Sequence, residues 1–167
     1  ELAEQAGWAD TRRGFSLYVL GRLSLGSDPE LALAAFLEAA AIYRARPDTR
    51  IQSAHVAMQL AAFSLSAGQV DGAIALVDES LPAVLEAENA ALLATLLLIK
   101  GQALEARGAD REAATIRRDA LGWARYGFGG DEIVRARVTE IGRLTPTTRP
   151  LTVASRRQPL APAGRDG

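Results

Sequence analysis

An internal repeat of about 40 residues constrains this chain more than any other feature of its sequence. Four residue pairs are each 40 positions apart: Gly68 and Gly108, Ala73 and Ala113, Ser80 and Ala120, Leu81 and Leu121. A third copy lies upstream, displaced by 41 or 42 positions, with corresponding residues at Gly21, Gly26, Ala32, Phe36 and Ala39. One unit of this length cannot bury its own apolar face, so neighbouring units are expected to stack.

Each copy has the pattern of two amphipathic helices joined by a tight turn. The predicted first helices are 11–25, 50–67 and 90–107, and the predicted second helices are 29–46, 70–88 and 110–126. A glycine ends each first helix, where the left-handed conformation is favoured, and Asp28 and Pro29 suit the N-cap and first position of a helix. Hydrophobic residues make up 49% of the chain but aromatic residues only 5%, which indicates a core of Ala and Leu and an all-α fold.

Small residues recur where paired helices must approach closely. They are Ala61, Gly68, Ala73 and Ser80, with the bulkier Val77 between the last two, and then Gly101, Gly108, Ala113 and Ala120. This pattern resembles the tetratricopeptide repeat (TPR) family, whose usual repeat is about 34 residues. The longer spacing is similar to the long-helix variant found in bacterial regulators and in motor-protein light chains, and the first copy is also slightly similar to the Sel1-like subclass.

The resemblance, which covers roughly residues 2–126, implies a right-handed α-solenoid of stacked antiparallel helical hairpins. It also implies a concave groove lined by the first helices. Family register places eight residues there: His55, Met58, Ala62, Leu65, Thr95, Leu98, Gln102 and Glu105. Such a mixed surface suits an extended peptide or a helix of another protein. The alternative is that a neighbouring helix, or sequence upstream, buries several of them.

The predicted domain spans 1–144 and starts within a repeat. Gly7 precedes Gly26 by 19 residues, as Asn89 precedes Gly108, so 1–9 is predicted to be the end of a second helix that natural upstream sequence completes. Repeats at about 10–47, 48–89 and 90–128 follow, and then a capping helix over 131–144 with Asp131 as its N-cap. The Pro- and Arg-rich tail, 145–167, is not expected to pack. Pro82 is expected to kink its helix.

Charge and composition argue against several classes of function. The chain has 19 basic and 20 acidic residues, so it lacks the excess positive charge that favours nucleic acid or anionic membranes, and it has no cysteine. Its longest apolar stretch, 90–99, is about half of the roughly 20 residues that cross a bilayer, so we predict a buried helix and no membrane span. No signal peptide is visible, which leaves cytoplasm and periplasm open. Abundant Ala and a single Lys suggest a bacterial source.

No residue pattern indicates catalysis, a cofactor or a metal. His55 is the only histidine, and no nucleophile is indicated near it. The carboxylates are scattered at spacings typical of a solvated helix surface, and thiols are absent. The glycine-rich segment 127–130 follows a helix rather than a strand, unlike a phosphate loop. We therefore predict that the chain is not an enzyme.

Two further groups of residues leave alternatives open. The basic residues Arg117, Arg118, Arg149, Arg156, Arg157 and Arg165 are predicted to be solvated, and the alternative is contact with an acidic partner, nucleic acid or lipid. The aromatic residues Trp8, Trp123, Tyr126 and Phe128 are predicted to fill the terminal core, and the alternative is a docking or self-association surface.

Two functions remain as hypotheses. The first is a protein-interaction scaffold or adaptor that binds a peptide or helix of another protein. The second is a helical sensor module of a larger bacterial regulator, which binds a small ligand or peptide. A regulator is expected to have a DNA-binding or nucleotide-binding domain encoded upstream, whereas an adaptor is not.

Overall fold

The fold is all-α in a computed structural model that describes residues 2–143, with side chains from Gly7 onward. Seven α-helices and one short 3-10 turn, Pro47–Thr49, form this range, and no strand occurs within it. The helices are α1 (Leu2–Ser24), α2 (Pro29–Arg44), α3 (Arg50–Ser66), α4 (Val70–Glu86), α5 (Ala90–Ala106), α6 (Asp110–Gly127) and α7 (Asp131–Gly142). The predicted all-α class is confirmed, while the tail and Leu144 lie outside the described residues.

Polar side chains set the starts of two helices. The carboxylate of Asp28 accepts a hydrogen bond from the Leu31 amide at 2.9 Å, and Pro29 is the first residue of α2, as predicted. The amide oxygen of Asn89 caps α5 in the same way, accepting from the Leu92 amide at 3.1 Å. For α7 the predicted cap is wrong by one position, because Gly130 is the N-cap and Asp131 is the first helical residue.

Three helices end in the same hydrogen-bonded motif. At the end of α3, the amides of Gly68 and Gln69 donate to the carbonyls of Leu65 and Ser64, and the ends of α4 and α5 repeat this pair of bonds. This is the Schellman motif, in which the residue after the C-cap adopts positive φ. Gly68 and Gly108 do so, with φ of 76° and 80°, as predicted. Gly26 was expected to behave in the same way and does not.

Helix α1 differs from its prediction at its start. The helix end expected at Gly7 is absent, since α1 runs without a break from Leu2 to Ser24. Gly7 is buried and lies beside the guanidinium of Arg46, where a Cβ atom would clash. Gly7 is therefore an interior residue of α1 beside a flexible side chain, and it does not end the helix. Pro82 also lies inside a helix, since α4 continues through it to Glu86.

Consecutive helices contact one another along the chain, and α5 also contacts α3 and α7. Small residues let these helices approach, and Ala61, Ala73 and Ala120 are fully buried. At Gly21 of α1, a Cβ atom would lie 2.6 Å from the ring of Phe36, which is itself fully buried. The repeat boundaries, the domain limits and the solenoid arrangement of these helices stay predictions.

Candidate binding groove

A groove with a volume of about 690 Å³ crosses one side of the helices. Its lining comes from the odd-numbered helices α1, α3, α5 and α7, together with Leu25 and the segment Gly127–Phe128. The second helices α2 and α4 contribute nothing to it. The lining therefore includes residues of the three helices predicted to be first helices, α1, α3 and α5, and residues of α7 and the end of α6 that were not predicted to be there.

Four of the eight predicted site residues come together in the groove. They are His55, Met58 and Ala62 from α3 and Thr95 from α5, and all four are partly exposed. Spacings of three, four and seven residues place side chains on one face of a helix, which explains why the first three are neighbours. The Thr95 hydroxyl donates to the carbonyl of Ala91 at 2.9 Å, so its oxygen can still accept a bond.

The other four predicted residues do not line the groove. Leu65 and Leu98 belong to the core, with 0% and 5% of their surface exposed. Gln102 is also buried, and its side-chain oxygen accepts a hydrogen bond from Arg117 at 2.8 Å. Both carboxylate oxygens of Glu105 accept from the same guanidinium at 2.5 Å. Arg117 is thus a partly buried link between α5 and α6 rather than a freely solvated charge.

Helix α1 forms one end wall of the groove through Tyr18 and Arg22, which the sequence prediction missed. The ring centroid of Tyr18 lies 5.9 Å from that of Phe36 and 6.3 Å from that of His55. Arg22 donates to the Tyr18 hydroxyl at 3.3 Å. Tyr18 and Arg22 are four residues apart and therefore lie on one face of α1, but this spacing alone does not indicate that this face lines the groove.

Helix α7 and Phe128, which lies three residues before it, form the opposite wall. Phe128 packs against the core, and Ile133 is half-exposed above it. Arg137 and Glu140 also line this wall, and they form an ion pair with each other at 2.9 Å. The α7 wall therefore presents an apolar surface with charges that already have partners.

The imidazole of His55 is neutral at neutral pH. Its partial burial lowers its pKa from the ordinary value of 6.5, and the positive charge of Arg22 lowers it further. A neutral imidazole offers one donor and one acceptor nitrogen to a bound molecule. The groove thus combines an apolar floor with a few polar groups, as in binding sites that fix the orientation of a ligand.

A second cavity of about 230 Å³ lies between α2, α3 and α4. Two of its three arginines have carboxylate partners: Arg46 pairs with Asp48 at 2.8 Å, and Arg50 pairs with Glu86 at 2.6 Å. The cavity is smaller than the groove, and most of its charge is already neutralised.

The terminal aromatic residues mostly lie outside the core. Trp8, Trp123 and Tyr126 are exposed by 67%, 43% and 84%, so the prediction that they fill the core is wrong for these three. It is right for Phe128, which packs against the core. Trp8 lies under the guanidinium of Arg12, and the rings of Trp123 and Tyr126 contact each other. A docking or self-association role for them stays a prediction.

Within residues 2–143, no group of three or more His, Cys, Asp or Glu residues is placed to hold a metal ion. In the same range, no helix combines the length and apolar character needed to cross a membrane.

Comparison with protein families, with curated proteins and with solved structures finds no match for this chain. The resemblance to the TPR family therefore stays a prediction, and the groove must be interpreted from its own residues.

Proposed function

We propose that this protein is an interaction scaffold or adaptor, an α-solenoid of helical hairpins that holds a peptide or helix of another protein in its groove. The observation that carries this proposal is the groove of about 690 Å³ lined by α1, α3, α5 and α7. Repeat folds with this lining bind extended partners along their concave face.

The chemistry of the groove suits a peptide. Met58, Phe63 and Ile133 supply apolar contact, and the flexible thioether of a methionine adapts to different side chains. Gln59 and Thr95 can pair with the polar backbone groups that an extended peptide presents. The combination provides apolar pockets for affinity and polar groups for register.

The size of the groove also suits a short segment. If α1, α3, α5 and α7 stack in the proposed solenoid at the usual interaxial distance of about 8–10 Å, they span roughly 25–30 Å. An extended chain covers about 3.3 Å per residue, so eight or nine residues would cross the groove.

The proposal is tested by selecting binders from a display library of random 12-residue peptides. Binding of a selected peptide is then measured by fluorescence anisotropy. Ala62→Trp fills the groove floor and is expected to weaken binding at least tenfold, because the indole would occupy the space of the peptide. Ala114→Trp is the control, since Ala114 is exposed on α6 and does not line the groove. Equal binding by both variants and the unmodified protein would contradict the proposal.

A small-ligand sensor module of a larger bacterial regulator is the second candidate. The groove volume favours it, because sites for small molecules typically measure about 300–1,000 Å³. A thermal-shift screen of small molecules distinguishes the two candidates. Ligands that raise the melting temperature of the unmodified protein but not of Ala62→Trp, together with a failed peptide selection, would favour the sensor.

A further inference from the structure

We infer that the groove selects a peptide carrying an acidic side chain, and that this carboxylate lies at the α1 wall against Arg22 while apolar residues lie towards α7. The inference rests on the proposed function and adds the charge and orientation of the bound segment.

The two walls of the groove differ in charge. Three residues of its lining are charged at neutral pH: Arg22 on α1, and Arg137 and Glu140 on α7. The α7 pair neutralises itself at 2.9 Å. Arg22 has no carboxylate partner among the described side chains, so the α1 wall keeps an unpaired positive charge.

Arg22 is also positioned by its neighbours. One of its nitrogens donates to the Tyr18 hydroxyl at 3.3 Å, and the ring of Tyr18 packs against Phe36, which is fully buried. A guanidinium has five N–H donors in a planar arrangement that matches a carboxylate. The remaining donors of Arg22 can therefore bind an acidic group without breaking the contact with Tyr18.

The surroundings of Arg22 add a donor but no competing negative charge. His55 contacts Tyr18 and is neutral, so it can donate one N–H to the same carboxylate. The one acidic residue of the groove lining is Glu140 on α7, where it pairs with Arg137. A peptide bound in the reverse orientation would place its carboxylate beside the Arg137–Glu140 pair, where the positive charge already has a partner.

The test uses three fluorescent 12-residue peptides with identical Leu and Ala positions, whose remaining positions are all Glu, all Gln or all Lys. We expect the Glu peptide to bind the full chain about tenfold more tightly than the Gln peptide, the size typical of a charge-assisted hydrogen bond. The Lys peptide should bind most weakly. Raising the salt concentration should reduce the advantage of the Glu peptide.

Two arginine variants test whether Arg22 causes the preference for the Glu peptide. Arg22→Gln is expected to make the Glu and Gln peptides bind equally. Arg118→Gln, which removes the same charge from an exposed position on α6, should keep the preference. A preference that survives Arg22→Gln, or equal binding of the Glu and Gln peptides to the unmodified protein, would overturn the inference.

The outcomes separate this inference from the proposed function. Peptides that bind without charge preference, but lose binding in Ala62→Trp, overturn only the acidic selection. If no peptide binds in a way that depends on Ala62, both proposals fail.

Discussion

Glu88 is the one residue in the described range, other than glycine, that has positive φ, at 51°. It lies after the C-cap of α4, at the position that Gly68 and Gly108 occupy after α3 and α5. Its amide donates to the Leu85 carbonyl, and the Asn89 amide donates to that of Val84, which completes the Schellman motif. A residue with a Cβ atom is strained in this conformation, which lowers the free energy of unfolding by about 1–2 kcal/mol.

Replacing Glu88 with Gly should therefore stabilise the protein. Gly adopts this conformation without steric cost, and we expect the free energy of unfolding to rise by about 1 kcal/mol, measured by urea denaturation. The control is Glu79→Gly, at an exposed position inside α4, which should lower the free energy of unfolding by roughly 0.5–1 kcal/mol. A loss of stability in Glu88→Gly would show that the side chain, rather than the backbone, determines this turn.

His55 makes stability depend on pH. Its pKa is lowered in the folded protein by burial and by Arg22, so the unfolded chain binds a proton at a higher pH than the folded one. The free energy of unfolding therefore rises with pH between the lowered pKa of folded His55 and the ordinary value of 6.5. This stabilisation is lost as the pH falls through 6.5 towards the lowered pKa.

The variant His55→Gln should flatten this dependence. When the pH is lowered from 7.5 to 5.5, the melting temperature of the unmodified protein is expected to decrease. The melting temperature of the variant should decrease less, because Gln does not titrate. As the only histidine, His55 also gives a single imidazole signal whose pKa can be followed by NMR. A pKa at or above 6.5 in the folded protein would contradict this account.

At the scale of the elements, helix α6 has two glycines in opposite environments. Gly127 ends α6 against the start of α5, where a Cβ atom would lie 2.6 Å from the carbonyl carbon of Ala90. Gly122 lies inside the same helix with nothing within 4 Å of a Cβ atom. Backbone atoms cannot turn aside as a flexible side chain can, so only Gly127 is required for packing.

Opposite effects are expected when each glycine becomes alanine. Gly127→Ala should lower the free energy of unfolding by about 1–3 kcal/mol, because α5 and α6 must separate. Gly122→Ala should raise it by about 0.5–1 kcal/mol, since alanine favours the helix. Thermal denaturation of both variants checks this. Equal changes in the two variants would contradict the close approach of α6 to α5.

Helix positions were predictable where the repeat is regular. Helices α3, α4, α5 and α6 begin at residues 50, 70, 90 and 110, all as the sequence predicted. The prediction failed at Gly7, because a glycine can end a helix or let another element approach, and its sequence neighbours do not distinguish the two. In the structure Gly7 lies inside α1 and is buried beside Arg46, a residue 39 positions away that the local sequence does not identify.

At the scale of the whole molecule, the groove was predictable only in part. Helical periodicity placed His55, Met58 and Ala62 on one face of α3, and these residues line the groove. Helical periodicity could not distinguish the groove from the core. The predicted binding site therefore included Leu65 and Leu98, which are buried. The end walls depend on how α1 and α7 pack, which periodicity within one helix does not determine.

The single methionine of the chain, Met58, lies in the groove and allows the most direct test of the central claim. The protein is prepared without any additional methionine residue and labelled with ¹³C in the methionine methyl group. It then gives one methyl NMR signal. During titration with a display-selected peptide, we expect this signal to shift and to saturate with the dissociation constant found by anisotropy. An unchanged Met58 signal at peptide saturation would contradict the claim that the groove is the binding site.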